Sequence, residues 1–373
     1  MRFKDITLNT INEGGSSGKT RYNSEVATLC AFCGVKHWDD IRPEQLANPE
    51  DTKAQLRYWM VEKKNYDEKL FNEWLVRGKE IYTKIKSHYK GPMPTLYGWV
   101  GGANVGPVAD VEFHDHELSG VSIKAKGGIT LANLGPKSVG LPTPKGVDAL
   151  QQYVGKEYLE FKKNVFTKVL ALAKKQPNKP LNGRYTIAYV PEVDKFLLRH
   201  KKTATAGPVV DTLLTGQEIM TLGMKSNSAW QRPIGDWFQD NLAQEFDLMK
   251  PLLDKVEVVL LALIEKAIGA SDTMKSILRF EDKPYYYASP TKIYYVPSAQ
   301  EDPELVLKKL TPVKARGTGI IFRAYVSNVD STSSDYATYD VYLRYRNGLF
   351  ASNITVAAQN LKNPQNLAWD EVE

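Results

Sequence analysis

The chain has 373 residues, 42% hydrophobic and 25% charged, the usage of a globular protein rather than a disordered or fibrous one. Lys and Arg number 49 against 43 Asp and Glu, and the resulting net charge of +6 favours a polyanionic partner. Only 2 cysteines rule against a disulfide scaffold, and no apolar run nears the ~20 residues that span a bilayer or form a secretory signal, so a cytoplasmic protein is expected.

Residues 21–33 read as a first helix, with Val26, Leu29, Cys30 and Cys33 on one stripe and Ser24 or Asn23 as its cap. A long helical region follows from Asp51 to His88, with Leu56, Met60, Leu70, Trp74 and Ile81 at helical spacing. Gly91-Pro92-Met93-Pro94 stops it. Two runs with period-two alternation, Val108–Phe113 and Leu118–Ala125, flank the polar turn His114-Asp115-His116-Glu117 and predict a β-hairpin. A Gly/Pro-rich stretch, Gly127 to Pro144, leads into a helix over Val147–Lys175.

Arg184–Val190 predicts a strand, and residues 236–268 an amphipathic helix kinked at Pro251. From Ile277 the composition turns to β, with runs at 284–287, 292–296, 319–326, 339–345 and 354–357. The expected fold class is α/β: a mixed-sheet core with N-terminal helices over 1–180, a mixed and helical middle over 181–275, and a separate β-rich module over 276–373.

The hairpin carries the chemistry. Alternation puts Asp110 and Glu112 on one face of the first strand, opposite Ala109, Val111 and Phe113. Ser122, Lys124 and Lys126 share a face of the second strand. A turn near His116 sets Asp110 opposite about Ile123 and diagonal to Ser122 and Lys124, where one divalent ion can bridge the hairpin.

An acidic residue opening one strand, followed by (D/E/S)-x-Lys on its partner, resembles the PD-(D/E)xK nuclease superfamily, which includes type II restriction endonucleases and many phage and repair nucleases. The resemblance covers residues 109–126 and reaches to Glu25, because such nucleases often carry a metal-supporting glutamate on the preceding helix. It implies a restriction-endonuclease-like core and a metal-dependent DNA endonuclease using Mg²⁺, with Mn²⁺ as a substitute. Asp110 is then the metal ligand, and Lys124 the cation beside the attacking water and scissile phosphate. Ser122 stands where the pattern usually has Asp or Glu and is a poor ligand for a hard cation. The second carboxylate then comes from Glu112 or Glu25, with Glu157 and Glu160 as weaker candidates.

Basic residues offer phosphate contacts: Lys19 and Arg21 near the N-terminus, Lys126 beside the hairpin, Arg199, Lys201 and Lys202 in the middle, Arg344 and Arg346 in the β-rich tail. Double-stranded DNA is the expected partner, and a two-fold homodimer would match a palindromic site. Restriction, homing, repair and phage roles are equally compatible with these residues.

Two other classes stay open. A non-catalytic nucleic-acid-binding accessory protein would use the same basic residues without cleavage. A P-loop nucleotide hydrolase is suggested by Gly14-Gly15-Ser16-Ser17-Gly18-Lys19-Thr20, although Glu13 stands where the motif needs its first Gly. Cys30 and Cys33, with His37 following, have the start of a zinc spacing but lack a second knuckle, so buried thiols are expected.

Overall fold

The computed structural model describes residues 18–99, 101, 108–125, 129–134, 156–175, 186–201, 209–224, 257–258, 261–262, 264–269, 271–301, 304–313, 319–328, 335–345 and 354–373. In chain order come helices α1 (Gly18–Cys33), α2 (Pro49–Arg57) and α3 (Glu68–Tyr89), then strands β1 (Leu96–Trp99), β2 (Val111–His114), β3 (Gly120–Ile123) and β4 (Thr130–Leu134). Helix α4 (Lys156–Lys175) precedes β5 (Thr186–Val190), β6 (Lys195–Lys201) and β7 (Val209–Leu214), and α5 (Gly216–Met224) and α6 (Ser271–Leu278) follow. The remainder is β8 (Tyr285–Ala288), β9 (Ile293–Val296), β10 (Leu305–Pro312), β11 (Gly319–Asn328), β12 (Ala337–Tyr345), β13 (Ile354–Lys362) and β14 (Asp370–Glu371).

The protein is mixed α/β. Its six-stranded sheet runs β1-β2-β3-β8-β9-β14, a five-stranded sheet runs β10-β11-β12-β13-β4, and a three-stranded sheet runs β5-β6-β7. In the first sheet β3 and β8 are parallel and the other neighbours antiparallel. Among the described residues no helix is long and apolar enough to cross a membrane.

The C-terminal region does not stand apart as the expected module over 276–373. Strands β8, β9 and β14 continue the hairpin's own sheet, and β4 completes the sheet of β10–β13. The reason lies in the tyrosine run. On β8, Tyr286 and Ala288 face the core built by α1, α2 and α3, while Tyr285 and Tyr287 face a second core shared with α4, α6 and the five-stranded sheet. Alternate side chains of one strand thus enter two different cores, which makes β8 a buried central strand.

The helix expected over 51–88 is interrupted. Lys64 takes a left-handed φ of 53°, and Asp67 caps α3 by accepting from the Leu70 backbone N–H at 3.2 Å. Asn23 supports this break from α1: its amide donates to the Asn65 carbonyl at 2.8 Å and accepts from the Asp67 N–H at 3.1 Å. Asn23 and Ser24 are therefore interior to α1, which starts at Gly18, and neither caps it. The start of the helix expected at 147, and most of that expected over 236–268, lie outside the described residues.

The hairpin closes on Gly120, whose φ is +144°. A Cβ there would sit 2.1 Å from the Val111 carbonyl oxygen, so only glycine lets β3 approach β2 at this point. Gly120→Ala is expected to destabilise the fold by at least the roughly 1–3 kcal/mol of a strained backbone, read as a lower midpoint in urea unfolding. An unchanged midpoint would show that the hairpin relaxes around the methyl group.

Candidate functional site

Asp110 lies immediately before β2, and its position follows from the ladder. Val111 pairs with Val121 and Glu112 with Gly120, so Asp110 falls across from Ser122, one residue from the expected Ile123. The Asp110 backbone N–H donates to the Val121 carbonyl at 2.9 Å. Its carboxylate then replaces the next rung: Oδ2 accepts from the Ile123 backbone N–H at 2.6 Å, from Ser122 Oγ at 3.2 Å and from Lys124 Nζ at 3.3 Å. All three bonds use one oxygen. Among the described residues Oδ1 has no partner, which leaves it open to a further ligand.

Lys124 follows β3, and its backbone N–H donates to the Ala288 carbonyl on β8 at 2.8 Å. The parallel neighbour therefore fixes the backbone that presents the lysine. Its ammonium also lies 6.0 Å from the centroid of the Tyr287 ring. Ser122 is fully buried and serves Asp110 as a hydrogen-bond donor.

Glu25 comes from the other side of the junction. Helix α1 packs in the same core as Trp99, Val111, Val121 and Ile123, and Glu25 on that helix is 1% exposed. Arg21, one turn earlier, donates from Nε to Glu25 Oε1 at 2.7 Å, and the Trp99 indole N–H donates to Oε2 at 3.1 Å. Burial pushes the Glu25 carboxyl up to about 7, and the negative charge of Asp110 pushes the same way; Arg21 and Lys124 pull it back. Burial works against the Arg21 charge, but Glu25 and, behind it, Asp110 hold the guanidinium above its ordinary value. The site thus holds two side-chain pairs, Arg21 on Glu25 and Lys124 on Asp110.

Glu112 is placed differently. It shares the Asp110 face of β2, as expected, but its Oε2 lies 3.2 Å from His114 Nε2. The pair lies over Gly98 of β1, where a Cβ would come within 2.7 Å of both side chains. Glu112 thus has its own partner. On the later helix, Glu157 side-chain placement lies outside the described residues, and Glu160 is exposed on α4.

The expected phosphate contacts are only partly visible. Lys19 is exposed in the first turn of α1, and Arg199 is committed to Asp211 through two bonds of 2.8 Å. Lys126, Lys202 and Arg346 lie outside the described residues, as do the side chains of Lys201 and Arg344. Gly14–Ser17 lie outside them too, and Gly18, Lys19 and Thr20 form the start of α1.

Cys30 and Cys33 are buried free thiols, the second pushed up to about 12 by burial. His37 packs its ring 3.7 Å from that of Trp38. Among the described residues no group of three or more His, Cys, Asp and Glu side chains is arranged to hold a metal ion. Asp110 keeps one carboxylate oxygen without a partner among the described residues, a hard donor that suits an ion that keeps most of its water.

Asp110, Lys124 and Glu25 were singled out from the sequence, and Trp99, which donates to Glu25, was not. Trp99 carries no sequence signal beyond an indole in a glycine-rich stretch, because its partner Glu25 lies far back in the chain.

No family model and no solved structure matches the chain. Among curated proteins, it is similar to "Inhibitory regulator protein IRA2" of Saccharomyces cerevisiae, 29% identical over 189 residues, which is 47% of this chain and 5% of that protein. The chain therefore spans about one twentieth of that relative's length.

Proposed function

We propose that the chain is a metal-dependent DNA endonuclease with a restriction-endonuclease-like core, resembling the PD-(D/E)xK nucleases. The observation that carries this reading is the contact of Lys124 with Asp110 at 3.3 Å at the start of the hairpin, with Glu25 buried on the helix that packs in the hairpin's own core. The mixed sheet supports it as well, because the parallel strand β8 anchors the backbone of Lys124.

Asp110 through Oδ1, together with Glu25, would hold the cation, expected to be Mg²⁺ with Mn²⁺ as a substitute. When bound, such an ion supplies an activated water and neutralises charge on the phosphate oxygens. Ser122 and the Ile123 N–H fix Asp110 Oδ2, so the free oxygen points in one direction. Lys124 holds a positive charge beside the same carboxylate, placed to orient the attacking water and meet the charge that builds on the phosphate. Glu112 is the weaker ligand because its carboxylate lies over Gly98 of β1, beside His114.

The test is cleavage of several unrelated supercoiled plasmids with Mg²⁺, repeated with EDTA. Nicking or linearisation that EDTA abolishes is expected. Glu25→Gln should lower the rate at least ~10-fold, whereas Glu112→Gln should stay within about 3-fold of wild type, the gap between a direct ligand and a residue beside it. Salt-dependent DNA binding without cleavage under any metal would instead favour a non-catalytic nucleic-acid-binding protein.

A further inference from the structure

We propose that Arg21 couples metal loading to DNA binding: its guanidinium rests on Glu25 in the free protein and moves to a DNA backbone phosphate when a divalent cation takes that carboxylate. This rests on the metal-dependent reading above and adds to it an order of assembly.

Both oxygens of Glu25 are engaged, but by unlike donors. Trp99 gives a neutral N–H from a side chain that is 3% exposed and set edge-on to Tyr22, with ring centroids 6.2 Å apart. It can stay while the other lone pairs of the carboxylate meet a cation. Arg21 brings a full positive charge to Oε1, and that charge opposes a divalent ion at the same group.

Arg21 is also the partner able to leave. Its side chain is 37% exposed against 2% for Glu25, and it bonds the carboxylate through Nε. Among the described residues its two terminal nitrogens have no hydrogen-bond partner. Those nitrogens form the planar fork that fits two phosphate oxygens. The guanidinium rests on Glu25, on the helix that packs in the core of the hairpin strands. An arriving cation repels Arg21 from Glu25 and an arriving phosphate attracts it. Both favour the same displaced state, so each ligand must tighten the other.

The experiment uses the full chain carrying Lys124→Ala, expected to slow cleavage, and titrates Mn²⁺ calorimetrically with and without a short DNA duplex. The duplex should tighten Mn²⁺ binding by about 10-fold or more, within the usual range of coupling between two sites. Adding Arg21→Gln should tighten Mn²⁺ in the absence of DNA and reduce the effect of the duplex to within ~2-fold. It should also lower the salt slope of DNA binding by about one. Arg21→Lys keeps a charge and should recover part of the coupling, which separates the switch from a folding defect. Weaker Mn²⁺ binding in Arg21→Gln without DNA, or an undiminished effect of the duplex, overturns the coupling. If Mn²⁺ does not bind, or binds equally well after Asp110→Asn, the metal-dependent reading itself fails and the coupling with it.

Discussion

Lys124→Ala is expected to slow Mg²⁺-dependent DNA cleavage by about 100–1,000-fold, the usual cost of removing one preorganised electrostatic group from a reacting centre. The ammonium lies 3.3 Å from Asp110 Oδ2, and its side chain is about one third exposed. It therefore contributes little to folding, as partly exposed ion pairs generally do. DNA binding and the unfolding midpoint should stay near wild type. Cleavage by Lys124→Ala at the wild-type rate would remove the lysine from the chemistry and return the hairpin to an ordinary cross-strand pair.

The second large effect separates metal holding from structure at a single residue. Asp110→Asn keeps an oxygen for the Ile123 N–H and Ser122 Oγ but loses the charge that a divalent ion needs. Its cleavage rate should fall by about 1,000-fold or more, the equivalent of several kcal/mol of lost charge stabilisation, with stability close to wild type. Asp110→Ala should lose the same activity and also destabilise the protein by about 1–3 kcal/mol, because a buried N–H is left without an acceptor. Equal unfolding midpoints for the two variants would show that the Ile123 N–H finds another partner. Retained cleavage in Asp110→Asn would end the proposed role of Asp110.

Local signals were legible where a short segment settles its own structure. The alternation of Val111, Phe113, Val121 and Ile123 located the hairpin, because those four side chains fill one core and their neighbours do not. The pair of Asp110 and Lys124 was legible for the same reason, since a tight turn brings them together. The expected register was one residue off: the ladder is symmetric about residue 116, which sets Asp110 opposite Ser122 and leaves Ile123 one place along.

What joins distant segments was not legible. The tyrosines of 285–287 read as a strand, yet nothing local says that they lie parallel to β3 between two cores. The break between α2 and α3 depends on Asn23, a residue of another helix. The bond of Trp99 on β1 to Glu25 on α1 likewise becomes visible only once the chain is folded.

The parallel pairing of β3 with β8 bears on protein synthesis. The residue that receives the Lys124 amide hydrogen, Ala288, leaves the ribosome long after the hairpin does. A nascent or prematurely terminated chain would hold the acidic and basic partners in sequence but lack the neighbour that sets them at working geometry. On the proposed reading, the cleaving arrangement cannot assemble until Ala288 has been made, and chains that stop short of it lack that arrangement.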